Sequence, residues 1–253
     1  MSLKYSVIAA SEIDERLKKE MFLLFRQYYA DVSFERFDVD LREKNSVILL
    51  WDRNAEPAPY LFGFSTILLR ELPDGGRTIY SGDTVVDRDY WGSRTLQSAF
   101  SRVLLLARLR YPFSPLYWML ISKGFKTYML MRRNFPCSYP SRAGIADAEI
   151  AKVKDEFYQN KFGACYNAQT SIIDFGTSMG RVKDQIAVPT EKDRANSDVQ
   201  FFLENNPRFH EGVELACIAN IRWSDIAHIM FKYAFPFMKR LSLPPVLVRY
   251  FSR

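Results

Sequence analysis

The sequence is poor in the residues that build metal centres and cross-links. Its three cysteines, Cys137, Cys165 and Cys217, lie far apart and lack Cys-x-x-Cys spacing, which argues against a disulfide framework or a zinc ribbon and fits a reducing cytoplasm. The two histidines, His210 and His228, are too few and too poorly spaced for a His-rich centre or an HExxH site. Chemistry without a metal is therefore expected. Long apolar runs are also missing: no stretch reaches the ~18 consecutive apolar residues of a membrane-spanning helix, and Met1 to Ala10 has no basic region followed by an apolar run. The expected location is cytoplasmic.

What is present excludes other classes. A chain of 253 residues that is 48% hydrophobic and 15% aromatic buries a core without staples, so disorder and a coiled-coil rod are excluded. Lys plus Arg is 35 against 29 for Asp plus Glu, a net charge of +6. That balance favours an acidic partner: membrane headgroups, an acidic carrier protein or a phosphorylated co-substrate. The basic residues are dispersed and do not form one stripe, so nucleic acid is not an expected partner.

Periodicity divides the chain. A capping box at Ser11 and Asp14 followed by Ile13, Leu17, Met21, Leu24 and Tyr28 predicts a helix over 12–29, with a second over 34–44. Three strands follow, at 46–52, 60–70 and 78–86, the last two joined by the turn signal Asp74-Gly75-Gly76. Leu96, Phe100, Val103 and Ala107 give one face of a helix over 94–109, ended by Pro112 and Pro115. Then come a strand at 115–122, a helix at 124–134, an amphipathic segment at 147–158, a strand at 166–175, a helix to Asn205 and a strand at 213–221. Residues 223–253 change character: Phe235, Phe237, Leu241, Leu247 and Phe251 are interleaved with Lys232, Lys239, Arg240, Arg249 and Arg253. The division expected is a domain over 1–222 and a basic, amphipathic tail over 223–253. A lid packed on the domain is the plainer reading of that tail, and an anchor on anionic lipid, peripheral to a membrane, is the sharper one.

The most informative stretch is TIYSGDTVVDRDYWGSRTLQSAF, residues 78–100. It reads as a strand entering a tight turn that opens a helix with a small, polar first turn. Free backbone NH groups at such a helix start attract an anion. Arg94 adds positive charge, and Gly92 allows close backbone approach. An ordinary strand-to-helix crossover accounts for the same pattern.

In Val85 to Leu96 this stretch resembles the GNAT acyltransferase superfamily, whose turn has the form V-x-P-x-Y-R-G-x-G-x-G before the donor-binding helix. Tyr90 and Gly92 agree. Arg94 and Leu96 stand where the family has glycines, and Trp91 stands where it has its first Arg. The resemblance covers residues 83–135 as motif and 5–222 as element order. It implies an α+β fold with a mixed, mostly antiparallel sheet flanked by helices, and an N-acyltransferase activity. Acyl-homoserine-lactone synthases and long-chain N-acyl amino acid synthases are the members nearest in kind. The donor implied is acyl-CoA or an acyl-phosphopantetheine carrier protein, whose arm bears one phosphodiester in place of the adenosine pyrophosphate; the acceptor is a small amine. By the same resemblance Val85, Val86, Trp91, Gly92, Ser93, Arg94, Thr95 and Lys123 contact the donor, Asp83 is the base and Tyr128 the acid.

Two other classes stay open. Gly176-Thr177-Ser178-Met179-Gly180 satisfies GxSxG, so Ser178 would be a hydrolase nucleophile with Asp193 or Asp198 and His210 or His228. The replaced glycines also suit a GNAT-like binding module without turnover.

Overall fold

The computed structural model describes residues 3–52, 60–73, 75–144, 147–183 and 188–234. Its elements in chain order are β1 (Lys4–Ala9), α1 (Glu15–Tyr28), β2 (Tyr29–Ala30), α2 (Phe34–Arg42), β3 (Ser46–Asp52), β4 (Tyr60–Glu71), β5 (Arg77–Val86), α3 (Thr95–Arg110), β6 (Leu116–Ser122), α4 (Phe125–Asn134), β7 (Ser138–Tyr139), α5 (Ala148–Phe162), β8 (Tyr166–Asn167), β9 (Ile172–Ile173), β10 (Arg181–Val182), α6 (Glu191–Arg194), α7 (Ser197–Asn205), β11 (Glu214–Asn220) and α8 (Trp223–Ile229). This is the α+β class expected, with antiparallel ladders throughout each of the two compact units into which the chain divides.

The first unit holds the described residues within 1–25, 34–116 and 221–253. Its strands run in the order β1, β3, β4, β5. Val47, Ile48, Leu49 and Leu50 of β3 are all buried, because helices cover both faces and the strand needs no polar side. Phe37 of α2 meets Phe25 of α1 at 5.7 Å and Phe64 of β4 at 5.9 Å between ring centroids. Lys18 of α1 reaches Asp38 of α2 at 2.6 Å, and that ammonium holds the Asp38 carboxyl below its usual range. α3 packs against β1 and β3, and α8 with the π-helical turn Met230–Ala234 packs on α3.

The second unit holds residues 26–33 and 117–220. β6, β11, β9 and β8 follow one another, β7 also pairs with β11, and β10 pairs with β2. Tyr158 of α5 is fully buried, with its hydroxyl 2.8 Å from the carbonyls of both Leu120 and Cys217, on the adjacent strands β6 and β11.

The structure corrects several expectations. β1 was not foreseen. α1 begins at Glu15, and Asp14 rather than Ser11 serves its start, accepting from the Leu17 amide at 2.7 Å. The single strand expected at 166–175 is a hairpin of β8 and β9, since Asn167 Oδ1 accepts from the amides of Gln169 and Thr170 and turns the chain. Asp74 and residues 235–253 lie outside the described residues, so the turn signal at Asp74 and most of the tail fall there too.

β5 carries one extra residue: Ser81 pairs with Ile67 and Thr84 with Ser65, leaving Gly82 and Asp83 opposite Thr66. Such a bulge re-aims the side chains beside it. Gly82 is needed there, because a Cβ would stand 2.6 Å from Thr66 Oγ1 and 2.8 Å from Lys44 Cε. Lys44 cannot swing aside freely, since its fully buried ammonium holds Asp40 at 2.6 Å. Gly82→Ala is expected to lower unfolding stability by about 1–3 kcal/mol, as overpacking does; chemical denaturation with an unchanged midpoint would contradict this packing.

Candidate functional site

Beyond the bulge, β5 delivers Val85, buried, and Val86, half-buried, to the edge of a turn. Asp83 is half-buried on the bulge itself. The buried ammonium of Lys44, 3.5 Å from the place a Cβ would take on Gly82, puts positive charge one residue before it. Sequence reading missed Lys44, which lies in the loop after α2 and shows no periodic signal.

The turn is built from local bonds. Asp87 Oδ1 accepts from the Asp89 amide at 3.0 Å and starts a single 3-10 turn, Arg88–Tyr90. The Trp91 indole NH donates back to the Val86 carbonyl at 2.9 Å. Trp91 therefore braces the end of β5, although 44% of it is exposed. Gly92 takes φ +90 with open space about it, a backbone region that suits glycine.

Two long-range bonds fix this turn to the sheet, the first from the Asp87 amide to the Phe62 carbonyl of β4 at 2.7 Å. The Tyr90 hydroxyl donates to Asp52 Oδ2 at 2.9 Å, with both residues buried, and the Tyr90 ring lies 4.5 Å from that of Phe62. Burial first, and then the Asp52 carboxylate, push the phenol up to about 12. No local pattern pairs residue 90 with residue 52, so Asp52 was not legible in the sequence.

α3 opens with Arg94 at its N-cap, exposed, making no side-chain cap bond, and its first turn has no acidic residue. Ser93 Oγ accepts from the Thr95 amide at 3.2 Å and meets Thr95 Oγ1 at 2.8 Å. Of the two residues in place of family glycines, Leu96 is buried, so only Arg94 stands in solvent at the helix mouth. Amide donors at a helix start, one arginine and no opposing carboxylate in the first turn suit an anionic group.

The second unit treats the other two candidates differently. Lys123 pairs with the buried Glu214 carboxylate at 3.1 Å, donates to the Met179 carbonyl at 3.4 Å and lies 5.9 Å from the centre of the Tyr29 ring. Tyr128 of α4 is 1% exposed, among Phe201 and Phe202 of α7 at 6.1 and 5.6 Å. Its hydroxyl donates to the Pro140 carbonyl at 3.0 Å, and burial raises its pKa far above the usual phenol value. These are the surroundings of a core tyrosine.

Ser178 is not on a nucleophile elbow. A hydrolase elbow needs a strand, the serine and then a helix, whereas Ser178 is followed by the two-residue β10. Its hydroxyl accepts from the Gly180 amide at 3.4 Å. Among the described residues, no group of three His, Cys, Asp or Glu is arranged to hold a metal ion, and no helix is long and apolar enough to cross a membrane.

No protein-family model matches the chain, and no curated protein matches it. Among solved structures, the chain is similar to the NatC complex bound to Gag peptide and CoA, at a TM-score of 0.41 and 12% identity over 52% of this chain and 80% of that one. It is similar also to an acyl-CoA N-acyltransferase from Pseudomonas aeruginosa, at 0.40 and 14% over 53% and 88%. A third is glucosamine-6-phosphate N-acetyltransferase from Arabidopsis thaliana, at 0.36 and 13% over 53% and 90%. Two of the three are named as N-acyl- or N-acetyltransferases. At these scores, none of the likenesses identifies an activity for this chain.

The Tyr90 bond has a signature in alkali. Between pH 10 and about 12 the unfolded chain releases the phenol proton while the folded one keeps it, so stability falls as pH rises through that window. Tyr90→Phe removes this share of the loss. Denaturation at several alkaline pH values is expected to give a shallower decline in the variant, and equal slopes would mean that the phenol is not held as described.

Proposed function

We propose that the chain is an N-acyltransferase that moves an acyl group, fatty acyl in preference to acetyl, from a CoA or acyl-carrier-protein thioester to an amine. The observation that carries this reading is the course of β5 into α3. A bulged strand bearing Asp83 runs into a turn whose helix mouth presents Arg94 and no acidic first-turn residue.

The chemistry asks for little more. The amine nitrogen attacks the thioester carbonyl, a C–N bond forms and the C–S bond breaks. Asp83 takes the amine proton directly or through water, and the departing thiolate is reprotonated. Val85 and Val86 would run beside the pantetheine arm, and Trp91, Gly92, Ser93, Arg94 and Thr95 would hold its phosphate. Lys123, the remaining donor contact expected, has its ammonium held by Glu214. We assign Tyr128 to the core, and solvent then supplies the thiolate's proton. An acidic acyl carrier suits the +6 chain, and the basic, apolar residues 223–253 suit an enzyme of amphiphiles that works in the cytoplasm beside a membrane.

Calorimetric titration with coenzyme A, palmitoyl-CoA and palmitoyl-carrier protein tests the donor. Arg94→Ala is expected to weaken the bound donor about ten-fold, the loss of a charged hydrogen bond. Asp83→Asn is expected to lower turnover by about 100-fold or more with donor affinity nearly unchanged. Unaltered turnover would remove Asp83 from the mechanism. Binding without turnover of any amine would favour a binding module, the reading that Arg94 and Leu96 in place of glycines supports.

Tyr128→Phe separates core from catalysis. Loss of the bond to Pro140 is expected to cost about 1 kcal/mol of stability while turnover stays within about three-fold, since a core hydroxyl takes no part in proton transfer. A collapse of turnover in a folded variant would restore Tyr128 as the acid.

A further inference from the structure

The C-terminal end of α3 carries a surface that the acyl-transfer reading does not use. Four carbonyls of the turn after α3 are bonded within the first unit. The buried guanidinium of Arg108 donates to the carbonyls of Tyr111 at 3.3 Å and Ser114 at 2.8 Å, and also to that of Ile221. The Trp223 indole NH donates to the Pro112 carbonyl at 3.2 Å, and the Arg77 amide to the Pro115 carbonyl at 2.9 Å. Pro112 and Pro115 further limit the backbone. The turn is thus held from several sides, yet Phe113 at its centre is 97% exposed.

Phe113 has apolar company. Leu109, one turn earlier on α3, is 56% exposed, and Trp223, bonded to the residue beside Phe113, is 46% exposed. Trp223 also lies under the Arg108 guanidinium at 5.9 Å. Phe231, 77% exposed, sits on the turn that packs against α3. A lone exposed apolar residue needs no explanation, but a fixed cluster of aromatic and aliphatic side chains marks an interaction surface.

Charge selects the occupant. Between Asp89 and Asp147 the chain has no acidic residue, so α3 and its following turn carry Arg94, Arg102, Arg108 and Arg110, while the carboxylates of Asp225 and Glu71, which come near this turn in the fold, are paired with Arg222 and Arg77. Arg110 is exposed next to the cluster. A second copy of the chain would bring the same arginines against these across a two-fold axis. The chain's own residues 235–253 would bring Lys239, Arg240, Arg249 and Arg253. An anionic bilayer supplies what both lack, negative headgroups above an apolar layer, and an indole whose NH is already bonded within the protein can sit at that boundary. We propose that Leu109, Phe113, Trp223 and Arg110 form the contact by which the folded chain lies on an anionic lipid surface, with Phe113 entering the acyl layer.

The proposal is independent of the acyl-transfer reading, because it is tested without any thioester. The full chain is sedimented with vesicles of phosphatidylcholine alone and of phosphatidylcholine with phosphatidylglycerol, and tryptophan emission is recorded in parallel. Binding to the anionic vesicles only is expected, weakened at about 1 M salt, where screening leaves a reach of only ~3 Å. Phe113→Ser, at a position too exposed to upset folding, is expected to lower partitioning about ten-fold or more, as removal of an inserted phenyl does. Equal partitioning of Phe113→Ser and the wild type overturns the proposal. So does binding to neutral vesicles alone, or loss of binding only when Lys239, Arg240, Arg249 and Arg253 are changed to Ser. A dimer in solution that Phe113→Ser dissolves, or an acidic carrier protein that it releases while vesicle binding persists, overturns it equally.

Discussion

The turn that opens α3 depends for its place on a buried side-chain hydrogen bond, from the Tyr90 hydroxyl to the Asp52 carboxylate. A carboxylate that is 2% exposed must be hydrogen-bonded to persist, and a phenol from the turn meets that need while the ring fills space beside Phe62. The bond joins the last residue of β3 to a segment that the Asp87 amide also ties to the sheet, at the Phe62 carbonyl. Gly92, Ser93 and Arg94 follow within four residues, so the direction of the helix mouth is inherited from the sheet.

Buried cations do similar work elsewhere. Lys44 fills the space behind the bulge on β5 and fixes Gly82 as the residue there. Arg108 holds the turn after α3 through two of its carbonyls and also bonds that of Ile221, and its burial lowers its pKa without threatening its charge. Lys154 in the second unit is bonded to Ser171 and lies 4.4 Å from the centre of the Tyr139 ring, with burial lowering its pKa. Each is a charge whose desolvation is offset by nearby acceptors: those of Lys44 are local, on Asp40, whereas Arg108 and Lys154 also reach Ile221 and Ser171, remote in sequence. These three of the chain's 35 lysines and arginines are structural, so they say little about a partner, whereas exposed Arg94 and Arg110 say more.

What was legible in the sequence follows from the range of the interactions. α3, α4, β3 and β11 announce themselves by apolar spacing, because burial of a periodic face is a local pattern. The turn from Asp87 to Arg94 was legible for a similar reason: Gly92, Arg94 and a helix start with a small, polar first turn are neighbours in sequence. β1 was overlooked, since its partly exposed residues gain their pairing from β3 some forty positions away. Lys123 and Tyr128 were read as site residues from the family pattern, and their partners Glu214, Pro140 and Phe202 are all distant in the chain. A side chain's neighbours across such distances decide whether its proton or charge is available, and periodicity does not record them.

α3 links the two ends of the functional account. At its N-terminus the amides, Arg94 and the lack of acidic residues suit a phosphate, and at its C-terminus Arg108 and Arg110 meet the negative end of the helix dipole beside an apolar corner. Sixteen helical residues separate these ends by about 24 Å. If the apolar corner rests on a bilayer, the helix mouth stands at about that distance along the helix from it, and the orientation of α3 then decides its height above the lipid. A helix lying steeply to the surface would keep the mouth in the aqueous layer, within reach of a carrier protein, while one lying flat would bring it among the headgroups, whose phosphates would compete for Arg94. The spacing along one rigid helix thus ties donor choice to the angle of docking, and a carrier-borne donor is the one that a steep orientation favours.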